Sequence, residues 1–492
     1  MDESKLGLPF KLWPTQLDAI DKVIKGFESG TKVALLQGPT GSGKSAIATA
    51  VARYRQSLKT VVLTRTKDLQ RQYADQLGYF SAEGKASFDC PALPPLTADL
   101  VECQLVTCNK TECQYFINKG WSKIVRELAT NYYWFLANDW LENVEVLILD
   151  EAHLANPTVI DYMGIRLTRW ELAQAKVSIN DSLGVIFTKG PMNIANDLAR
   201  IQRVNEPALM EHLSKLLQIR KKMITGKMVY DTSAYYEYRN NDVLVVQPED
   251  DSGILEKALF DRCAGKVLLM SATILDPKVF MEEKGLGHIP YQYVELETNI
   301  DANRRPIFYQ PAAWISAKSN DRDYIKLVEK IEIILDAHQG QRGLIHTANF
   351  RLAKKIRDLT SARNRARLLV QEGSAGRGRL FRAFLTGSAP DAVLVSPSAT
   401  TGLDLAEDRG RFIIFAKVPF PDRGDSRVKR KEETVGNYYA WATVQELVQG
   451  SGRCTRSSND FSIVYIIDET FGWFYKGNSR LFPDWWKKSL VL

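Results

Sequence analysis

An α/β fold in two parallel-sheet halves is predicted by three observations. Short apolar runs alternate with stretches of helical periodicity along the chain, one run opens directly into a glycine-rich loop, and another ends in a pair of acids. Apolar runs without polar alternation mark strands covered on both faces, which is how parallel sheets are built.

The first run, Lys32-Val33-Ala34-Leu35-Leu36, reads as a buried strand feeding Gly38-Pro39-Thr40-Gly41-Ser42-Gly43-Lys44-Ser45. That loop fits G-x-x-x-x-G-K-[ST], in which glycines leave backbone N–H groups free to cradle phosphate. Its lysine, Lys44, reaches the β- and γ-phosphates, and the Ser45 hydroxyl ligates Mg2+. A helix opens at Ser45, and its N-terminus favours an anion. Upstream, Gln16 in Trp13-Pro14-Thr15-Gln16 is placed to read the donor and acceptor edge of adenine. Downstream, the strand Thr60-Val61-Val62-Leu63 delivers Thr64-Arg65-Thr66 to a loop suited to hydroxyl and guanidinium contacts with a nucleic-acid backbone. A helix from Lys67 to Leu77 closes a βαβ unit.

Four of the six cysteines, Cys90, Cys103, Cys108 and Cys113, crowd into one segment rich in proline, with little periodicity of either kind. Close thiols in a reducing compartment are metal ligands more often than disulfides. The spacing C-x12-C-x4-C-x4-C lacks the C-x2-C knuckles usual in zinc sites, which favours an iron-sulfur cluster, with zinc as the alternative. The segment is expected to take its order from the bound metal. Next, Asn131-Tyr132-Tyr133-Trp134-Phe135-Leu136 concentrates aromatics; packing on the sheet is favoured over base stacking, since the four rings cannot all face one groove.

Asp150-Glu151-Ala152-His153 follows the apolar strand Val146-Leu147-Ile148-Leu149, so the acids emerge at a strand's C-terminal end, where open α/β sheets place their ligands. Asp150 can hold Mg2+ through its water shell, and Glu151 is placed to orient and deprotonate the water that attacks the γ-phosphate. His153 would couple nucleotide state to the rest of the site. Together with the phosphate loop, these acids describe a nucleotide-driven motor.

Residues 157–239 turn helical, with Leu209, Leu213, Leu216 and Leu217 beside Lys215, Arg220, Lys221 and Lys222, a basic set that is either a nucleic-acid channel or a solvated face. The sheet is expected to resume at Val243-Leu244-Val245-Val246. Val267-Leu268-Leu269-Met270 then delivers Ser271-Ala272-Thr273, whose hydroxyls can bridge the acids to a moving partner domain. The second half repeats the alternation with strands at Gly343–His346, Ala392–Val395 and Phe412–Phe415 and has no phosphate loop of its own. It offers Gln449-Gly450-Ser451-Gly452-Arg453-Cys454-Thr455-Arg456, where Arg453 and Arg456 lie one turn apart on an expected helix. Two arginines presented across a cleft suit the charge that develops on the γ-phosphate. Trp485 and Trp486 are expected to pack the terminal segment on this half.

The bulk numbers agree with an ordinary globular enzyme. The 492 residues allow about three domains at roughly 150 each. Hydrophobic residues at 45% and charged residues at 25% exclude a disordered or fibrous chain. A net charge of +7 suits a polyanionic partner without identifying one. The N-terminus has no apolar signal region and no run is long enough to span a bilayer, so a cytoplasmic place is expected, nucleoid-associated for a bacterial, phage or plasmid source.

Taken in order, Gln16, Gly38–Ser45, Thr64–Thr66, the four cysteines, Asp150–His153, Ser271–Thr273, Thr401-Gly402-Leu403-Asp404 and Gln449–Arg456 form a set that resembles the iron-sulfur helicases of superfamily 2, the XPD and DinG group. The resemblance spans nearly the whole chain. It implies two RecA-like parallel-sheet motor domains, an inserted 4Fe-4S domain and a helical arch. On this sequence it divides the chain into 1–89, 114–156 and 240–295 for the first motor domain, 90–113 for the cluster, 157–239 for the arch and 296–492 for the second motor domain. It implies ATP, Mg2+ and a 4Fe-4S cluster on Cys90, Cys103, Cys108 and Cys113. Lys44, Asp150, Glu151, His153, Gln449, Arg453 and Arg456 form the catalytic set, while Gly402 and Asp404 sense the nucleotide. Thr401 stands where the family often carries Glu. The implied activity is a monomeric ATP-dependent DNA helicase that moves 5′ to 3′ on single-stranded DNA and opens duplex or forked DNA in repair or replication, with an RNA–DNA hybrid as a further partner. An ATP-dependent clamp without processive unwinding and an RNA helicase are the alternative readings.

Overall fold

Strands that read as apolar runs are covered on both faces. The computed structural model describes residues 6–492 except 40, 58, 104, 105, 107, 142, 200–206, 232–234, 250, 299, 317, 374, 375, 388, 399–404, 406 and 456–459. Every residue of β1 (Val33–Gln37) and β2 (Thr60–Thr64) is buried. β3 (Phe80–Ala82), β4 (Glu127–Asn131) and β5 (Val144–Leu149) follow. After an insertion holding β6 (Ile165–Thr168), β7 (Tyr235–Arg239) and β8 (Val243–Pro248), the first half is completed by β9 (Cys263–Ser271) and β10 (Tyr291–Glu295). The first sheet runs β10-β1-β9-β5-β2-β4-β3, with every neighbouring pair parallel.

Alternate residues of these strands enter opposite cores, as the strand period of two requires. Ala34, Leu36, Val62, Ile148 and Leu268 pack with Ile20, Val23, Ile47 and Val51 of the helices Pro14–Glu28 and Lys44–Tyr54. Val33, Leu35, Val61, Leu63, Leu147 and Leu269 face Phe135, Val159, Phe260 and Phe280 on the other side. Each such apolar side chain contributes roughly 1.5–3 kcal/mol by leaving water. Because β9 lies between β1 and β5, the ends of three strands sit side by side: the phosphate loop, Ser271 and the acids.

The second half carries β11 (Ile307–Ala313), β12 (Gly343–His346), β13 (Leu368–Val370), β14 (Val393–Ser396), β15 (Phe412–Phe415), β16 (Ile463–Asp468) and β17 (Leu490–Val491). Its order is β13-β14-β12-β15-β16-β11-β17, again all parallel. The α/β architecture with two RecA-like parallel-sheet domains is present. The terminal Trp486 is fully buried against Phe471 and Phe482, with its indole N–H donating to Ser451 Oγ at 2.9 Å.

Two insertions leave the first sheet. Between β3 and β4 the cysteine segment forms two single-turn helices, Lys85–Ser87 and Ala98–Leu100. Cys90, Leu93, Leu96 and Val101 pack against Met210 and Leu213 of the helix Pro207–Tyr230, so apolar contact supplies part of the order expected from metal alone. Between β5 and β9 the second insertion is not purely helical. Val243–Pro248, expected to resume the motor sheet, instead pairs antiparallel with β6 and β7. Leu244 and Val246 find cover among Phe187, Ile219 and Met223, while the place beside β5 is taken by β9. A run of four apolar residues specifies burial and leaves the partner open. In the aromatic run, Tyr132, Trp134 and Phe135 are buried as expected, and Tyr133 is 46% exposed.

The β5–β9 pairing shifts register between Val144 and Val146, where Gly265 lets the backbones approach. A Cβ on Gly265 would sit 1.9 Å from the Glu145 carbonyl oxygen. Gly265→Ala should therefore destabilise the fold by roughly 2–3 kcal/mol, read as a lower urea midpoint; an unchanged midpoint contradicts this packing.

Candidate nucleotide cleft and nucleic-acid channel

Gly43, in the left-handed region at φ 79°, precedes the helix Lys44–Tyr54, a backbone that glycine adopts without strain. Lys44 Nζ donates to the carbonyls of Gly38 at 2.7 Å and Pro39 at 3.3 Å, lying across the loop that a phosphate would fill. Gln16 is brought to the same loop: its Oε1 accepts from the Trp13 N–H at 2.8 Å and its Nε2 donates to the Ser42 carbonyl at 3.1 Å. Thr40 lies outside the described residues.

Ser45 and Asp150 meet across the sheet edge. Ser45 Oγ donates to Asp150 Oδ2 at 3.4 Å, and the buried Tyr73 hydroxyl donates to the same oxygen at 2.9 Å. Burial, aided by the neighbouring Glu151, pushes the Asp150 carboxyl up to about 6, while Lys44 opposes the rise. This oxygen-only pair fits Mg2+, whose ligands are carboxylates, hydroxyls and water.

Glu151 follows in a left-handed turn, φ 51° and ψ 48°, that redirects the chain from the strand. His153 Nδ1 lies 3.0 Å from Ser271 Oγ and 3.4 Å from Glu151 Oε2. From the second domain, the helix Tyr438–Ser451 brings Gln449, whose Nε2 sits 3.0 Å from His153 Nε2 and donates to Thr273 Oγ1 at 2.7 Å. Burial holds His153 down to about 4, so the ring is neutral and Nε2 can accept the Gln449 N–H. The serine and threonine expected to bridge the acids to the other domain do so through His153. Gln445, one turn earlier on that helix, donates to the Thr273 carbonyl at 2.9 Å, and the Trp441 indole donates to that of Ile274 at 2.9 Å.

The expected helix does not extend to Arg453. It stops at Ser451 with Gly452 as its cap, because the glycines at 450 and 452 weaken continuation. Arg453 projects from the following turn, its Nη2 donating to Gln449 Oε1 at 3.3 Å. Arg456, Gly402 and Asp404 lie outside the described residues. Pro39, Glu151, Ala272, Gln449, Arg453, Arg305 and Trp485 line one cleft between the domains.

A second cavity, about 1100 Å3, opens between the two domains and the second insertion. Its lining is mixed in charge: Arg65, Arg166, Lys222, Arg427 and Arg430 stand with Asp161, Glu249, Asp251, Glu282 and Asp425, beside Tyr133, Tyr236 and Tyr238. Of the three residues expected at nucleic acid, only Arg65 reaches this wall. Thr64 is fully buried with its hydroxyl on the Thr66 carbonyl at 3.2 Å, and Thr66 caps the helix Lys67–Leu77 through the Leu69 N–H at 3.2 Å. Sequence reasoning missed Tyr73, Gln445, Tyr236 and Arg427. Arg427 stacks 3.8 Å over Tyr236 and donates to Gln247 at 2.7 Å, tying the second domain to the insertion. Gln445 was legible, being four residues before Gln449 on one helix face; Tyr73 was not, since its partner is far away in sequence.

The four cysteines are free thiols, Cys90 and Cys113 buried and Cys103 and Cys108 partly so. The Cys103 thiol is pushed up by burial and feels Cys108, Cys90 and Cys113, so the sulfurs share one neighbourhood. Among the described residues no three His, Cys, Asp or Glu side chains are arranged to hold a metal ion. The donor chemistry fits an iron-sulfur cluster; the described geometry does not form its cage.

Residues 9–175 match the family described as type III restriction enzyme, res subunit, and residues 331–489 match the helicase C-terminal domain. The whole chain superposes on a solved XPD helicase with a TM-score of 0.70 at 15% identity, covering 96% of this chain and 98% of that one. The fold is that of an XPD-like helicase. An apo XPD structure matches at TM-score 0.65 and 15% identity over 94% and 98% of the two chains. The Xpd protein of S. tokodaii matches this helicase fold at 0.59 and 14% identity over 97% and 99%. No curated protein matches by sequence. Among the described residues no helix is long and apolar enough to cross a membrane.

His153 gives the site a pH signature. The folded ring stays neutral down to about 4, whereas the unfolded ring takes a proton near 6.5. Its contribution is therefore intact above 6.5 and is lost as pH falls towards 4, by up to about 3 kcal/mol. Urea titrations should show the parent losing stability faster than His153→Gln between these limits; parallel curves contradict the assignment.

Proposed function

We propose that this chain is an ATP-dependent DNA helicase that tracks single-stranded DNA 5′ to 3′. The observation that carries the reading is the composition of the interdomain cleft: Pro39 and Glu151 from one sheet domain face Arg453 and Gln449 from the other. In the proposed cycle, ATP enters the phosphate loop and Lys44 leaves the carbonyls of Gly38 and Pro39 for its phosphates. Ser45 and Asp150 would hold Mg2+, which neutralises phosphate charge when bound. Glu151 orients the attacking water and accepts its proton, and Arg453 stabilises charge on the γ-phosphate. Phosphate release loosens the cleft and, through His153 and Gln449, shifts one domain's grip on the strand.

Arg65 and Arg166 beside the tyrosines of this mixed-charge cavity support a single-stranded track, since guanidinium contacts to phosphate and stacking on rings tolerate any sequence; Lys222 and Arg427 are paired with Glu171 and Asp425. Cys90, Cys103, Cys108 and Cys113 would hold a 4Fe-4S cluster, whose part here is to order the segment docked on the helix Pro207–Tyr230.

The test is strand displacement on matched duplexes with a 5′ or a 3′ single-stranded tail, using protein purified without oxygen and assayed for iron, sulfide and zinc. Displacement from the 5′ tail alone, lost in Glu151→Gln, with about four irons per chain is expected. ATP hydrolysis without displacement from either tail supports the clamp reading instead, displacement of RNA duplexes alone supports the RNA reading, and zinc in place of iron removes the cluster.

A further inference from the structure

Among the described residues two arginines are buried, Arg305 and Arg367, and Arg367, like the partly buried Arg53 and Arg411, sits beside a carboxylate. Arg53 pairs with Glu127 at 2.7 Å, Arg367 with Asp391 at 3.2 Å and Arg411 with Asp460 at 2.9 Å. Arg305 differs. It is 6% exposed, lies just before β11, and stacks over the Trp485 ring with 4.2 Å to the centroid. Its Nη2 donates to Thr298 Oγ1 at 3.1 Å and to the Ile300 carbonyl at 3.2 Å, both neutral oxygens. Its Nε has no hydrogen-bond partner among the described residues. Burial alone acts on the guanidinium, holding it down to about 10, and no acid raises it again.

A buried charge is costly unless an opposite charge or a full set of hydrogen bonds compensates it. The compensation missing within the described fold is available next door, because Arg305 and Trp485 form a wall of the cleft that also holds Pro39, Glu151, Gln449 and Arg453. An anion in that cleft would share it with the guanidinium and with Glu151. Arginine's planar fork suits phosphate oxygens, and a ring stacked on its face fixes that fork before the ligand arrives.

We propose that Arg305 is a nucleotide-contacting residue, a guanidinium held on Trp485 that donates to the terminal phosphate of a nucleoside triphosphate. This deepens the ATP-site reading of the cleft and rests on it. Because Arg305 enters from the start of the second domain, the contact forms only when the triphosphate is present and draws that domain onto it. Arg453 then faces the same phosphate from the end of its helix.

The test compares binding of a fluorescent non-hydrolysable ATP analogue and of fluorescent ADP, each with Mg2+, to the full-length parent, Arg305→Gln and Arg305→Lys, with melting temperatures recorded alongside. Arg305→Gln should bind the triphosphate analogue about tenfold or more weakly, as expected for a lost hydrogen bond to a charged group, and keep its affinity for ADP. Arg305→Lys, which keeps the charge without the fork, should fall between. Equal weakening of both nucleotides together with a lower melting temperature would assign Arg305 a structural role and overturn the proposal, as would unchanged binding of both. A parent that binds neither nucleotide overturns the ATP-site reading itself.

Discussion

The cleft depends on one hydrogen-bonded chain that crosses it. Ser271 bonds His153 from the first sheet, with Glu151 Oε2 3.4 Å from the same ring nitrogen; Gln449 meets the ring from the second sheet and continues to Thr273. The Gln449 link requires an unprotonated Nε2, and burial supplies that condition by holding the ring down to about 4. Gln449 also accepts from Arg453, so the side chain that bonds His153 steadies an arginine that lines the cleft. A change beside Glu151 thus reaches the second domain through His153 and Gln449.

Two further connections run from this point to the cavity. Tyr73, on the Asp150 carboxylate, belongs to the helix Lys67–Leu77, whose cap Thr66 directly follows Arg65, so this helix and its cap connect the Asp150 side of the cleft to the cavity wall. Asn156, on the helix that follows His153, donates to Asp251 at 2.7 Å, and Asp251 pairs with Lys431 of the second domain at 2.8 Å. Lys431 also pairs with Glu283, whose carboxyl lies at about 2, its burial overcome by Lys284 and Lys431. The cleft and the cavity are therefore joined by packed helices and buried ion pairs, the kind of element that shifts between discrete arrangements.

How much of this was legible in the sequence depended on whether the chemistry is local. The phosphate loop and Asp150–His153 could be read because a strand, a turn and a helix terminus within a few residues fix their geometry. The bridge through Ser271 and Thr273 was legible from their position at a strand end. Val243–Pro248 was misplaced because an apolar run specifies burial and leaves its neighbour undetermined. The helix under Arg453 was overextended although Gly450 and Gly452 marked its end. Thr64 looked like a strand-contacting hydroxyl, yet it finishes a strand whose every residue is buried. Tyr73 and Tyr236 gained their roles from partners distant in sequence, which no periodicity reports.

We propose that the cleft drives the strand through His153 and Gln449. This coupling is tested most directly by ATP hydrolysis of Gln449→Ala with and without single-stranded DNA, against the parent and alongside nucleotide binding. Retained nucleotide binding with loss of the DNA stimulation seen in the parent is the predicted result. Stimulation equal to the parent's would show that strand and nucleotide communicate without this bridge.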